Sequence, residues 1–226
     1  MIRGVRWLAL AAVLLGCTDS ERMAAASMDG GAARLDASLA ALPYATEVVR
    51  FSPGDGAGFG QNKLPDVVLG PPSGHGVDRG SLDVLSLGVG GEIVLGFGDR
   101  SIVDESGADF VVFENAFYAG GDPSKPFVEP GEVSVSEDGK TWIAFACRQQ
   151  DAGAANLMGC AGVSPTLEFD ADTLLPIDPE QTGGDEFDLA DVAIDEARFV
   201  RIRDLAETGT APSAGFDLDA IGIIHD

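Results

Sequence analysis

The sequence predicts an all-β chain: an antiparallel β-sandwich of jelly-roll type, preceded by an export segment and a tether. Three observations carry this prediction. Apolar residues alternate with polar ones in short runs, the period of a half-buried strand. The runs are separated by loops rich in Gly, Pro and Asp, and the 226 residues include 30 Gly and 12 Pro. Beyond residue 45 no helical pattern continues for more than a few turns. Strands at this spacing, with turn signals between them, fold as antiparallel sheets packed face to face.

Taken in order, residues 1–17 read MIRGVRWLALAAVLLGC. Arg3 and Arg6 form a basic start, and residues 7–15 are apolar. That run suits the core of a signal peptide and falls short of the roughly 20 residues that span a bilayer. Leu14-Leu15-Gly16-Cys17 resembles a bacterial lipobox. The resemblance implies cleavage after Gly16, lipid on Cys17 and, with Thr18 next, an outer-membrane or cell-surface address. An ordinary leader with an incidental Cys is the plainer alternative. Residues 18–43 are rich in Ala, Ser, Met and Gly and read as a tether. Leu35, Leu39 and Leu42 have the spacing of one or two helical turns, which Pro43 ends. The expected organisation is a signal peptide at 1–16, a tether at 17–43 and one sandwich domain at 44–226.

Within that domain, 48–51 (VVRF) is the first candidate strand and 67–69 (VVL) the second, before Gly70-Pro71-Pro72. Residues 82–87 follow. In 92–97, Ile93, Leu95 and Phe97 share a face. The run DFVVF (109–113) is nearly all apolar and suits a strand covered on both faces. The clearest hairpin is 132–145: Val133 and Val135 alternate with Ser134 and Ser136, Asp138-Gly139 turns, and TWIAF returns. Trp142 on the returning strand is expected to be buried against the opposite sheet. Residues 199–202 and 218–224 supply the last strands. The segments 52–63, 70–80, 119–131, 148–166 and 176–191 read as loops.

Two of these segments carry a resemblance. EVSVSEDGKTW (132–142) and ARFVRIR (197–203) resemble the hairpin and later strand of discoidin and galactose-binding-like jelly rolls. The closing GFDLDAIGII is similar to the last strand of that fold. The resemblance covers roughly residues 90–226. It implies a rigid sandwich that recognises a ligand through its loops and often holds structural calcium.

Charge narrows the function. Lys plus Arg number 14 against 37 Asp plus Glu, a formal net charge of −23. Such a field repels phosphate backbones, so nucleic acid is not an expected partner. It also disfavours an anionic membrane surface, leaving the lipid anchor as the membrane contact. In an oxidising compartment, with Cys17 taken by lipid, Cys147 and Cys160 are expected to pair as a disulfide. No further Cys or nearby His completes a zinc set.

Catalytic constellations are thin. His75 lies in GPPSGHGVDRG beside Ser73 and Asp78, and His225 is near the end, but no G-x-S-x-G occurs. No H-E-x-x-H exists. GDGAGFG (54–60) lacks the Lys-Ser/Thr of a phosphate loop and reads as a turn. Two carboxylates for a glycosidase are always on offer among 37 acids, which makes them uninformative. Hard-cation chemistry remains, since calcium takes six to eight oxygens from acids and carbonyls. GGDEFDLAD (183–191) and GFDLD (215–219) echo each other through Phe-Asp-Leu. They nominate Asp185, Asp188, Asp191, Asp217 and Asp219 as calcium ligands. Asp109 and Glu114-Asn115 flank the DFVVF strand. Two D-x-D pairs are what chance supplies at this Asp content, so that spacing adds nothing.

The expected function is a surface-anchored, calcium-stabilised, non-catalytic module binding an extracellular glycan, envelope polymer or protein. A carboxylate- or metal-dependent hydrolase, and an adhesive surface protein without a small ligand, stand as rivals.

Overall fold

Strand Phe199–Asp204 shows how the pattern becomes a sheet. Val200 and Ile202 are fully buried while Arg203 is exposed, because successive side chains leave a strand on opposite faces. The computed structural model describes residues 41–149, 157–167 and 176–226. Two larger sheets are built from β1 (Glu47–Ser52), β2 (Leu85–Ser86), β3 (Glu92–Gly96), β4 (Phe110–Glu114), β5 (Gly131–Ser136), β6 (Ile143–Ala144), β7 (Asp185–Phe187), β8 (Phe199–Asp204) and β9 (Asp217–Ile223). One sheet has the order β1-β3-β8-β5-β6 and the other β7-β4-β9-β2. Every pairing in them is antiparallel. The chain is the all-β sandwich its alternation predicts.

The core lies between the two sheets. Ile93, Leu95, Val133, Val135, Val200 and Ile202 from the five-stranded sheet belong to one cluster with Phe110, Val112, Leu218, Ile221 and Ile223 from the other. Phe110 stacks on Phe187 at 5.1 Å, and Phe145 meets both edge-on. The outer face of the four-stranded sheet is covered as well, where Val111, Phe113 and Ala220 pack with Tyr44 and Ile177. All five residues of β4 are buried, as its unbroken apolar run requires.

Strand β9 contains a bulge between Leu218 and Ala220. The extra residue, Asp219, shifts the alternation by one. Leu218 therefore faces the core before it, and Ile221 and Ile223 after it.

Four expectations change, besides short paired strands in the segments read as loops, Pro126–Phe127 within 119–131 and Arg148–Gln149 with Leu157–Met158 within 148–166. Residues 67–69 are not a strand: Asp66–Val68 is a 3₁₀ turn, closed by Val68 N–H to the Pro65 carbonyl and Leu69 N–H to that of Asp66. Between Pro65 and Gly70 there is too little chain to pair, so local bonds satisfy the backbone. The strand expected at 82–87 shrinks to β2. Leu82 is 74% exposed, and the Asp83 amide bonds the Ser81 hydroxyl in a tight turn. The loop expected at 176–191 contains a helical turn, Pro179–Thr182, capped by Asp178, and the edge strand β7. Acids masked that strand, since only Phe187 marks its inward face.

Trp142 is the fourth. It is half-buried on the outside of the sandwich, beneath the Arg201 guanidinium, 4.7 Å from the ring centroid. Phe145, three residues on, is 5% exposed and takes the inward face, and alternation turns Trp142 outward. The hairpin itself stands, with Val135 opposite Ile143 and a turn held by Asp138. Leu35, Leu39, Cys17 and the leader lie outside the described residues.

Candidate functional site

Two acidic groups sit at opposite ends of β4. Asp109 precedes the strand and Glu114 ends it, five residues or about 17 Å apart along extended backbone.

At the Asp109 end, ligand oxygens of Asp104, Asp109 and Asp188 lie within 4.8 Å of one another. Asp109 is fully buried and already engaged. It accepts from the amides of Glu105 at 2.9 Å and Leu189 at 2.8 Å, and it faces His225 Nδ1 at 3.0 Å. Asp188 caps the turn Leu189–Val192 by accepting from Ala190 N–H. Desolvation, then the charges of Asp109, Asp188 and Asp195, hold the Asp104 carboxyl above its ordinary value. Such a triad offers oxygens to a hard cation.

At the other end the carboxylates are deeper. Asp185 is 7% exposed and accepts from the amides of Gly162, Val163 and Ser164 at 2.7, 3.0 and 3.0 Å. Burial outweighs these bonds and raises its pKa from 3.8 to about 6. Asp204 ties three loop segments together by accepting from Gly90, Ala206 and Phe216. Asp219 receives the Ser73 amide on both oxygens at 3.0 Å, and burial holds it up at about 8. Asp217 accepts from the Ser86 hydroxyl, and its own amide donates to Glu114 Oε1 at 3.3 Å. Glu114 is 2% exposed and pushed well above the ordinary range, first by burial, then by the charges of Asp217 and Glu129. Glu129 is raised to about 8 by burial and by Asp217 and Asp204.

The five nominated aspartates therefore do not meet. Asp188 joins Asp104 and Asp109, and Asp191 is exposed on the adjacent turn. Asp185, opposite Val112, and Asp217 and Asp219, near the Glu114 end, have three separate sets of partners. The bulge decides that Asp217 and Asp219 take different partners. Asp204, Glu129 and Asp104 were missed by the sequence reading. For Asp204 a signal existed: it continues the inward phase of Val200 and Ile202, so an acid occupies an apolar position. Cys147 and Cys160 stand at disulfide distance, S–S 1.95 Å.

A third feature is an open groove of about 680 Å³ between the β5–β6 hairpin and residues 193–196. Glu137, Asp138, Thr141 and Asp195 are among its polar lining residues, and Ile143 and Ile194 among its apolar ones.

No family model matches the chain, and no curated protein matches it.

Proposed function

We propose that the protein is a lipid-anchored surface module, a galactose-binding-like jelly roll that binds an extracellular glycan without transforming it. The groove beside the β5–β6 hairpin carries this reading. Its volume lies within the roughly 300–1,000 Å³ of small-ligand sites. Carboxylates and a hydroxyl lining the groove together with apolar side chains suit the alternating hydroxyl and C–H surface of a sugar. The loops at the sandwich ends are bound to buried carboxylates, so the scaffold presents its surface in a set shape, which lowers the ordering cost of binding. Export through the leader and attachment through Cys17 place the module where envelope polymers are.

The test is a glycan array, followed by titration of the best hit into the full chain and into Asp195→Ala. Binding that weakens at least tenfold in the variant supports the reading. Absence of binding to any glycan, or binding indifferent to Asp195→Ala, refutes it. Turnover of a glycan or ester that a carboxylate substitution abolishes would establish the hydrolase instead.

A further inference from the structure

Four of the ten residues lining the groove beside the β5–β6 hairpin are acids, Glu137, Asp138, Asp195 and Glu196, and none is basic. The four are not equivalent. Asp138 is held by its own turn, where its Oδ1 accepts the amides of Thr141 at 2.7 Å and Lys140 at 2.8 Å. Those bonds keep its carboxyl below the ordinary value, so it is charged at neutral pH. Glu196 meets the Arg198 guanidinium at 3.2 Å. Glu137 and Asp195 are exposed, and neither carboxylate has a hydrogen-bond or ion-pair partner among the described residues. Glu137 belongs to the hairpin and Asp195 to the segment across the groove from it. The surroundings of Asp195 are negative as well. Its carbonyl accepts the Asp104 amide at 3.0 Å, and burial, then the charges of Asp109, Asp188 and Asp195, hold the Asp104 carboxyl up.

A cleft whose lining carries one sign of charge concentrates ligands of the opposite sign. A glycan bearing carboxylates or sulfates is repelled here. A neutral sugar can donate hydroxyl hydrogen bonds to the acids but leaves their charge uncompensated. An ammonium group supplies charged N–H donors, whose bonds to carboxylates are the stronger kind. We propose that the glycan taken by this groove carries free amino groups, a deacetylated hexosamine whose ammonium pairs with Glu137 and Asp195. This ligand class rests on the glycan reading of the groove and narrows it. Ile143 and Ile194 receive the C–H surface of the sugar ring, which a bare cation lacks.

The experiment is calorimetric titration of two matched probes, a β-1,4-linked glucosamine tetramer and its fully N-acetylated counterpart, into the full chain. At pH 6.0, below the ordinary pKa of an α-amine, the first is charged and the second neutral. The free-amine tetramer is expected to bind at least tenfold more tightly. Raising the salt from about 50 to about 300 mM should remove most of that preference by screening it. Glu137→Gln and Asp195→Asn, both exposed and close in shape, should each weaken the free-amine tetramer at least fivefold and change the acetylated one less than twofold. Glu186→Gln, an exposed acid on the other sheet, should change neither. Tetralysine, with as many amines and no sugar ring, should bind at least tenfold more weakly than the glucosamine tetramer. Equal affinity for the two tetramers overturns the amine assignment alone, since a glycan would still be bound. Tetralysine bound as tightly as the free-amine tetramer overturns the assignment and the glycan reading together. Absence of binding by the free-amine tetramer, or a preference that survives both Glu137→Gln and Asp195→Asn, also overturns the assignment.

Discussion

Asp185 offers the sharpest test of the buried acids. Its carboxylate accepts three backbone amides from residues 162–164, beside Cys160 and its disulfide. Bonds to a charged acceptor contribute about 1.5–3 kcal/mol each. Its pKa of about 6, against 3.8 in water, is what remains after those bonds have offset part of the cost of burial. Asp185→Ala removes the shared acceptor of three amides and is expected to cost about 3–5 kcal/mol. The pH dependence has a definite sign. An acid whose folded pKa exceeds its unfolded value takes up a proton on folding between the two. Its contribution is therefore fully present below about 3.8 and is lost as pH rises through about 6. The loss inside that window is about 1.4 kcal/mol per pH unit. Urea unfolding of the full, disulfide-intact chain and of Asp185→Asn at pH 4.5, 5.5 and 6.5 measures it. The stability difference should shift against wild type by that slope. A difference independent of pH, or one that moves in favour of wild type as pH rises, would refute the reasoning.

Phe110→Ala should cost about 3–5 kcal/mol in the same assay, since the ring is fully buried between Phe187 and Phe145. Trp142→Ala should cost about 1 kcal/mol or less, because its ring is half-buried and meets Arg201 from outside. A loss of 3 kcal/mol there would place it in the core after all. Cys17→Ala should shift the protein from the detergent phase to the aqueous phase in phase partitioning, and unchanged partitioning would overturn the lipid anchor.

Much of the fold was legible in the chain because a strand writes its burial locally. Ile93 and Leu95, Val133 and Val135, and Val200 and Ile202 each declare a face within a few residues. The unbroken DFVVF run declared two covered faces, and both are covered. The Asp138-Gly139 turn was legible for the same reason: turn chemistry is local. The two short misreadings had local causes as well, prolines cutting off 67–69 and a Ser81–Asp83 turn shortening the strand before β2.

The site was legible only in part. An abundance of acids says that some are buried without saying which, since burial is settled by what packs against them from distant sequence. Asp188 and Asp185 are three residues apart, yet β7 sets Asp185 opposite Val112 in the middle of β4 and leaves Asp188 beside Asp109. Asp217 and Asp219 look like a pair, yet a one-residue bulge gives the first to Ser86 and the second to Ser73. Glu114 acquires Asp217 as a neighbour only because β4 and β9 lie side by side, 103 residues apart in sequence. The period of the strands was thus determined by the sequence alone. Which carboxylates face one another was decided by register, because pairing across a sheet depends on contacts that no local pattern encodes.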